Sequence, residues 1–258
     1  MATCKVCSDP LVIHLDPEDS GATLPDDLLL ACGCHFHWQC LLDQSLQLAA
    51  SLRCPACNTY LPPNSVGPSA ASSSSSSSAV APQRTAILTR YINEGGVQEG
   101  LDILPTVMEE AYLAEHPEAR PAQALHLMCA EGDVGGIVEL LQDVDADEDE
   151  DDGMDAAALL RYQNPLNGMR SGLHLAVEKG QEEVFWLLLW LASGLPTTNF
   201  PEALAQTALG TGLQRGEAGP GKEDIRFLKD GQGRTAGDLC IEVGGQWQRF
   251  VEGGLFSP

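Results

Sequence analysis

Between Cys32 and Cys40 the chain reads Cys-Gly-Cys-His-Phe-His-Trp-Gln-Cys, three cysteines and two histidines in nine residues. That density of thiol and imidazole constrains the fold more than any apolar pattern, because both groups are zinc ligands and four of them close a tetrahedral structural site. Cys4-Lys5-Val6-Cys7 stands before the stretch and Cys54-Pro55-Ala56-Cys57 after it. Two flanking pairs and a dense centre hold enough ligands for two ions. Residues 1–60 are therefore expected to form a two-zinc module.

Seven of the nine cysteines lie within the first 57 residues, leaving Cys129 and Cys240 in the remainder. The start of the chain is polar and the ligand pattern begins at Cys4, so a secreted disulfide framework is not expected. The reading is an intracellular protein, of cytoplasm and/or nucleus, where thiols stay reduced. The longest apolar run, Val184 to Ala192, is nine residues, too short for a membrane span. A net charge of −23 disfavours nucleic acid and anionic membranes as partners. Within residues 1–60 the only basic side chains are Lys5 and Arg53, too few to track a phosphate backbone.

In chain order the candidate ligands are Cys4, Cys7, Cys32, Cys34, His37, Cys40, Cys54 and Cys57, with 2, 24, 1, 2, 2, 13 and 2 residues between them. This order resembles the RING finger, in which alternate ligand pairs share an ion in a cross-brace. The resemblance implies two structural zinc ions, one held by Cys4, Cys7, His37 and Cys40, the other by Cys32, Cys34, Cys54 and Cys57. Phe36 and His37 keep their family places, while Cys34 stands where a histidine is usual; thiolate is an equally good ligand. His35 is the adjacent alternative to Cys34 as fourth ligand. A PHD finger would have Trp where this chain has Leu52, and both it and the RING-CH variant want a longer gap before the histidine.

RING fingers commonly act as ubiquitin ligases, holding a charged conjugating enzyme so that its thioester is attacked. The resemblance thus implies catalysis by positioning, with no catalytic residue and closed zinc sites. It maps the conjugating-enzyme contact to Val6, Leu41, Gln44, Pro55 and Asn58. Val6 and Pro55 match the family; Gln44 stands where Trp is frequent and Asn58 where a cation is frequent. Those two departures favour the alternative, a non-catalytic zinc-binding adaptor between proteins.

Elsewhere, Leu28-Leu29-Leu30 suits a short strand and Cys40 to Leu48 a short helix. Residues 61–82, with seven consecutive serines, read as a flexible linker. After Arg84 the spacing of Ile87, Leu88, Tyr91 and Ile92, then of Leu101, Leu104, Met108, Tyr112 and Val107, predicts two helices opening the next domain. Leu125-His126-Leu127-Met128-Cys129-Ala130-Glu131-Gly132 then aligns with Leu173-His174-Leu175-Ala176-Val177-Glu178-Lys179-Gly180, and more weakly with the stretch from Asp230 through Gly233, Arg234, Thr235, Ala236, Asp238 and Leu239, with Gly244 at the matching turn. These copies resemble the ankyrin repeat. His126 and His174 are 48 residues apart, a surplus that falls on residues 143–155, which hold nine carboxylates and read as a solvated insertion. His126 and His174 are read as structural, and Cys129 and Cys240 as buried packing residues. The expected fold is a small two-zinc cross-brace RING-like module (α+β), 1–60, followed by a mostly α-helical ankyrin-like repeat domain, 83–258. Its repeats are expected at about 120–142, 167–195 and 230–252, to bind a protein substrate.

Overall fold

The apolar run Leu28 to Leu30 forms strand β3 (Asp27–Leu30), with Leu28 and Leu30 both buried on its inner face. The computed structural model describes residues 2–14, 23–62, 85–146, 153–201 and 223–256. The chain divides into two compact units, Met1–Glu115 and His116–Pro258.

In the first unit, β1 (Val12–His14) pairs antiparallel with β2 (Thr23–Pro25). β3 pairs antiparallel with β4 (His35–Phe36). Helices α1 (Trp38–Leu42) and α2 (Ser45–Ser51) follow, so the helix expected from Cys40 to Leu48 is broken at Asp43-Gln44. Most of the expected linker, and residues 15–22 between β1 and β2, lie outside the described residues.

The first helix expected after Arg84 is instead a hairpin, β5 (Leu88–Asn93) and β6 (Gly96–Asp102), which extends the sheet in the order β4-β3-β5-β6. The true period is two. Ile87 and Thr89 are buried, and the Thr89 hydroxyl donates to the Leu101 carbonyl at 3.1 Å. Read as polar, Thr89 hides that alternation, which lets Ile87, Leu88, Tyr91 and Ile92 mimic a helical face. The second expected helix is α3 (Leu104–Glu115), started by the Asp102 carboxylate, which accepts from the Leu104 N–H. Its buried face runs through Val107 and Ala111, and Met108 points outward. Ile87, Ile103 and Val107 share one core with Cys4, Leu28, Leu30, Phe36, Leu41, Leu48 and Leu61. Residues 85–115 therefore complete the cysteine-rich unit instead of opening the repeats.

The second unit is helical: α4 (Arg120–Glu131), α5 (Val134–Ala146), α6 (Ala156–Arg161), α7 (Gly172–Lys179), α8 (Glu182–Ala192), α9 (Ala236–Val243) and α10 (Gln248–Glu252). Gly132 and Gly180 end α4 and α7 in the left-handed conformation that glycine adopts without penalty. Part of the acidic stretch lies outside the described residues; of the rest, Asp143 belongs to α5 and Asp155 caps α6 by accepting from the Ala158 N–H. α8 is apolar nearly all round and almost wholly buried. Its Trp186 packs edge-on to Phe200 and Phe250, and Trp190 edge-on to Phe200.

The copies share small devices. At the start of α7 the Ser171 hydroxyl lies 2.7 Å from His174 Nδ1, and Thr235 and Asp238 form the same reciprocal cap on α9. The His174 ring donates through Nε2 to the Arg234 carbonyl at 3.1 Å, and His126 through Nε2 to that of Tyr162 at 3.2 Å. Two hairpin turns before α7 and α9 touch each other, the Gly231 N–H donating to the Gly168 carbonyl at 2.7 Å. Arg170 pairs with Glu178, and Arg234 with Glu242, at matching positions.

Two predictions follow from the packing. Ile103→Ala removes a side chain that is 1% exposed, at a cost of about 2–5 kcal/mol. Amide exchange in β3, far away in sequence, should accelerate accordingly, whereas unchanged exchange there would show that 85–115 is not integral to the unit. Burial pushes His126 down to about 4, against an unfolded value near 6.5, with the nearby His174 adding to the effect. The unfolded chain then binds the extra proton, so stability is full above about pH 6.5 and is lost as pH falls toward 4, by on the order of 3 kcal/mol. Denaturant unfolding followed by the fluorescence of Trp186, Trp190 and Trp247 should show this slope, and His126→Asn should flatten it.

Candidate metal centres

Two stretches of this chain fold alike. Thr3 bridges Pro10 and Arg53 bridges Tyr60. Within them the Cys4 N–H donates to the Asp9 carbonyl at 3.0 Å and the Cys54 N–H to that of Thr59 at 2.9 Å. The residue after each second cysteine turns left-handed, Ser8 at φ 69° and Asn58 at φ 59°. These are two copies of one tight knuckle that points a Cys-x-x-Cys pair at a single centre. The alignment of residues 3–10 with 53–60 is the sequence signal for it, and asparagine at 58 suits the left-handed turn.

The other ligand pairs come from the sheet and the first helix. Cys32 and Cys34 flank Gly33, at φ 83°, in the turn from β3 to β4. His37 and Cys40 sit at the start of α1 and within it. The donor atoms of Cys4, Cys7, His37 and Cys40 all lie within 4.8 Å of one another, as do those of Cys32, Cys34, Cys54 and Cys57. First and third pairs meet, and second and fourth pairs meet.

The donor sets fit zinc. In a tetrahedral site with bonds of about 2.0–2.3 Å, donor atoms stand roughly 3.3–3.8 Å apart. His37 Nδ1 is 3.3 Å from Cys7 Sγ and 3.8 Å from Cys40 Sγ. Its other nitrogen, Nε2, donates to the Pro10 carbonyl at 2.9 Å, which fixes the tautomer that leaves Nδ1 free to ligate. Backbone N–H groups of Val6 and His37 point at Cys4 Sγ, at 3.5 and 3.4 Å.

Electrostatics favour a cation in each cluster. Burial, then crowding by Cys4 and Cys7, pushes the Cys40 thiol up to about 12, and burial with three neighbouring thiols raises Cys34. Burial also raises Cys4, but N–H bonds from Cys7, His37 and Val6 outweigh it and bring that thiol down to about 7. The Thr59 hydroxyl, 3.2 Å away, holds Cys57 down to about 6. The three thiols of one cluster, or the four of the other, cannot all be deprotonated together without a positive charge, and a divalent ion deprotonates coordinating thiols outright. These clusters make the N-terminal unit a zinc-binding module in its chemistry.

His35, the alternative to Cys34, is elsewhere occupied: its Nδ1 lies 2.7 Å from an Asp27 carboxylate oxygen, and Cys34 stands in the cluster. Sequence reasoning missed Asp26. His37 gives its side chain to the cluster and so provides no cap for α1; the buried Asp26 carboxylate accepts from the Trp38 N–H instead, at 3.1 Å, and from the Tyr91 hydroxyl at 3.0 Å. An acidic residue just ahead of β3 is no local cap signal, since it reaches α1 only through the fold.

Of the residues mapped to a conjugating enzyme, Val6 is 44% exposed, Asn58 is exposed, and Pro55 and Gln44 are half-buried. Leu41 is corrected: at 1% exposed it belongs to the core, and its side chain is no contact. Cys129 and Cys240 are buried in the core of the helical unit, as expected of packing residues. No helix among the described residues is long and apolar enough to cross a membrane. Compared with protein-family models, curated proteins and solved structures, the chain matches none.

Zinc content tests the assignment. Protein purified with zinc should carry two ions per chain, Cys34→Ala about one, and His35→Ala two, by elemental analysis against protein concentration. Loss of an ion in His35→Ala with retention in Cys34→Ala would reverse the ligand choice.

Proposed function

We propose that this chain is a RING-type ubiquitin ligase, its zinc module recruiting a charged conjugating enzyme and its ankyrin-like repeats holding a protein substrate. The observation that carries the reading is the interleaving of the donor sets, first pair with third and second with fourth, which is what a cross-brace requires. Matched knuckles at Cys4–Cys7 and Cys54–Cys57 add to it, as does the exposed Val6 between the first two ligands. The departure at Asn58 is softened by Arg53, whose guanidinium donates to the Asn58 carbonyl at 2.9 Å and so brings a cation beside that position. Four closed ligands leave zinc no open position, so its role is to hold the surface in shape. Rate acceleration then comes from orienting the bound thioester.

For the second unit, the reciprocal caps, the inward histidines and the touching hairpin turns support an ankyrin-like stack with a presented surface. The many free thiols fit a reducing intracellular setting, in cytoplasm or nucleus. The rival reading, a non-catalytic adaptor, draws on Gln44, which stands between α1 and α2 where Trp is frequent in the family.

Autoubiquitination with a panel of conjugating enzymes decides between them. Wild-type protein should build conjugates, Val6→Ala should lower the rate about tenfold with both ions retained, and Cys32→Ser should abolish it. No activity with any enzyme, from protein carrying two zinc ions, leaves the adaptor.

A further inference from the structure

The repeat alignment brings three residues to each of two positions, and their exposures follow a rule. Leu127, Leu175 and Leu239 occupy one position in α4, α7 and α9, and are 59%, 6% and 6% exposed. Cys129, Val177 and Ile241 occupy another and are 0%, 0% and 65% exposed. The positions are two residues apart, about 200° around a helix, so they look in opposite directions. The middle copy buries both. The first copy exposes only one, and the third only the other.

Among the described residues of this unit, that is the pattern of a stack left uncovered at both ends. Its internal joints are close: a Cβ built on Gly172 of α7 would sit 2.9 Å from the Cys129 sulfur of α4. Gln181 donates to the Ala130 carbonyl at the end of α4, and Gln246 to the Gly180 carbonyl after α7. Repeat arrays normally finish in copies whose outer faces are polar, because an apolar end offers the next copy a seat. Here the leading face of the first copy carries Leu127 and the trailing face of the third carries Ile241.

We propose that these two faces are halves of one interface and that a second copy of this chain occupies them, the Ile241 end of one protomer seating on the Leu127 end of its partner. Continuity with the internal joints identifies the occupant. A leading face already covers a trailing face twice within the unit, and each protomer carries one of each unfilled by the described residues of that unit. The contact is head-to-tail, so it propagates into rings or open chains. The chain's net charge of −23 opposes association, and salt screens that repulsion, so assembly should strengthen with ionic strength. The inference rests on the repeat alignment and is independent of any ligase activity.

Sedimentation velocity on the full-length zinc-loaded protein, over a concentration series at low and high salt, tests it. Wild type should form dimers and larger species as concentration rises. Leu127→Glu and Ile241→Glu change exposed positions, so both should fold, and each alone should weaken self-association at least about tenfold. Mixed together, the two variants each retain one good face, and they should pair into a one-to-one complex that grows no further. Three results overturn the proposal: wild type monomeric throughout, either variant assembling as wild type does, or the mixture remaining monomeric while wild type associates.

Discussion

Four donor atoms drawn within 4.8 Å of one another, twice over, are the constraint on which the N-terminal unit depends. Crowded thiols repel as anions and are half-satisfied as neutral groups, so the arrangement favours a cation at each centre. Every local device near the clusters serves that gathering. The knuckles take left-handed turns at Ser8 and Asn58, Gly33 lets β3 reverse into β4, and His37 surrenders its capping role to ligation. The cost of that surrender is met from elsewhere in the chain, by Asp26 and through it by Tyr91 on β5.

How much of this could be read in advance follows from the range of each interaction. The ligand pairs were legible because zinc knuckles are local and their spacing is written in consecutive residues. Strand β3 and the copies around His126 and His174 were legible for the same reason. The β5–β6 hairpin was not, because a buried threonine whose hydroxyl finds a backbone carbonyl looks polar until its partner at Leu101 is known. Leu41 was misplaced by one turn of reasoning: a residue after a ligand on a short helix faces either partner or core, and only the presence of Leu28, Phe36 and Leu48 around it decides.

In the helical unit the aligned stretches keep the same contacts with different residues. Ser171 with His174 and Thr235 with Asp238 reach the same reciprocal cap with different side chains. The first copy has Gln123 at that position, and there His126 Nδ1 finds no partner among the described residues. Its ring is held by burial, by packing against Tyr162 and by one carbonyl, and burial of the neutral form ties this copy's stability to pH.

The N-terminal unit is assembled from two stretches of chain, one ending near Leu61 and the other beginning near Ile87. During synthesis the ligands of both clusters have emerged before β5, β6 and α3 are made. At about 5–20 residues per second, roughly 3–10 s pass before the sheet can be completed. For that interval the thiols and the apolar face of β3 are together without their cover. Both ligand sets are therefore synthesised ahead of the strands and helix that complete their core, so any metal taken up in that interval meets an unfinished sheet.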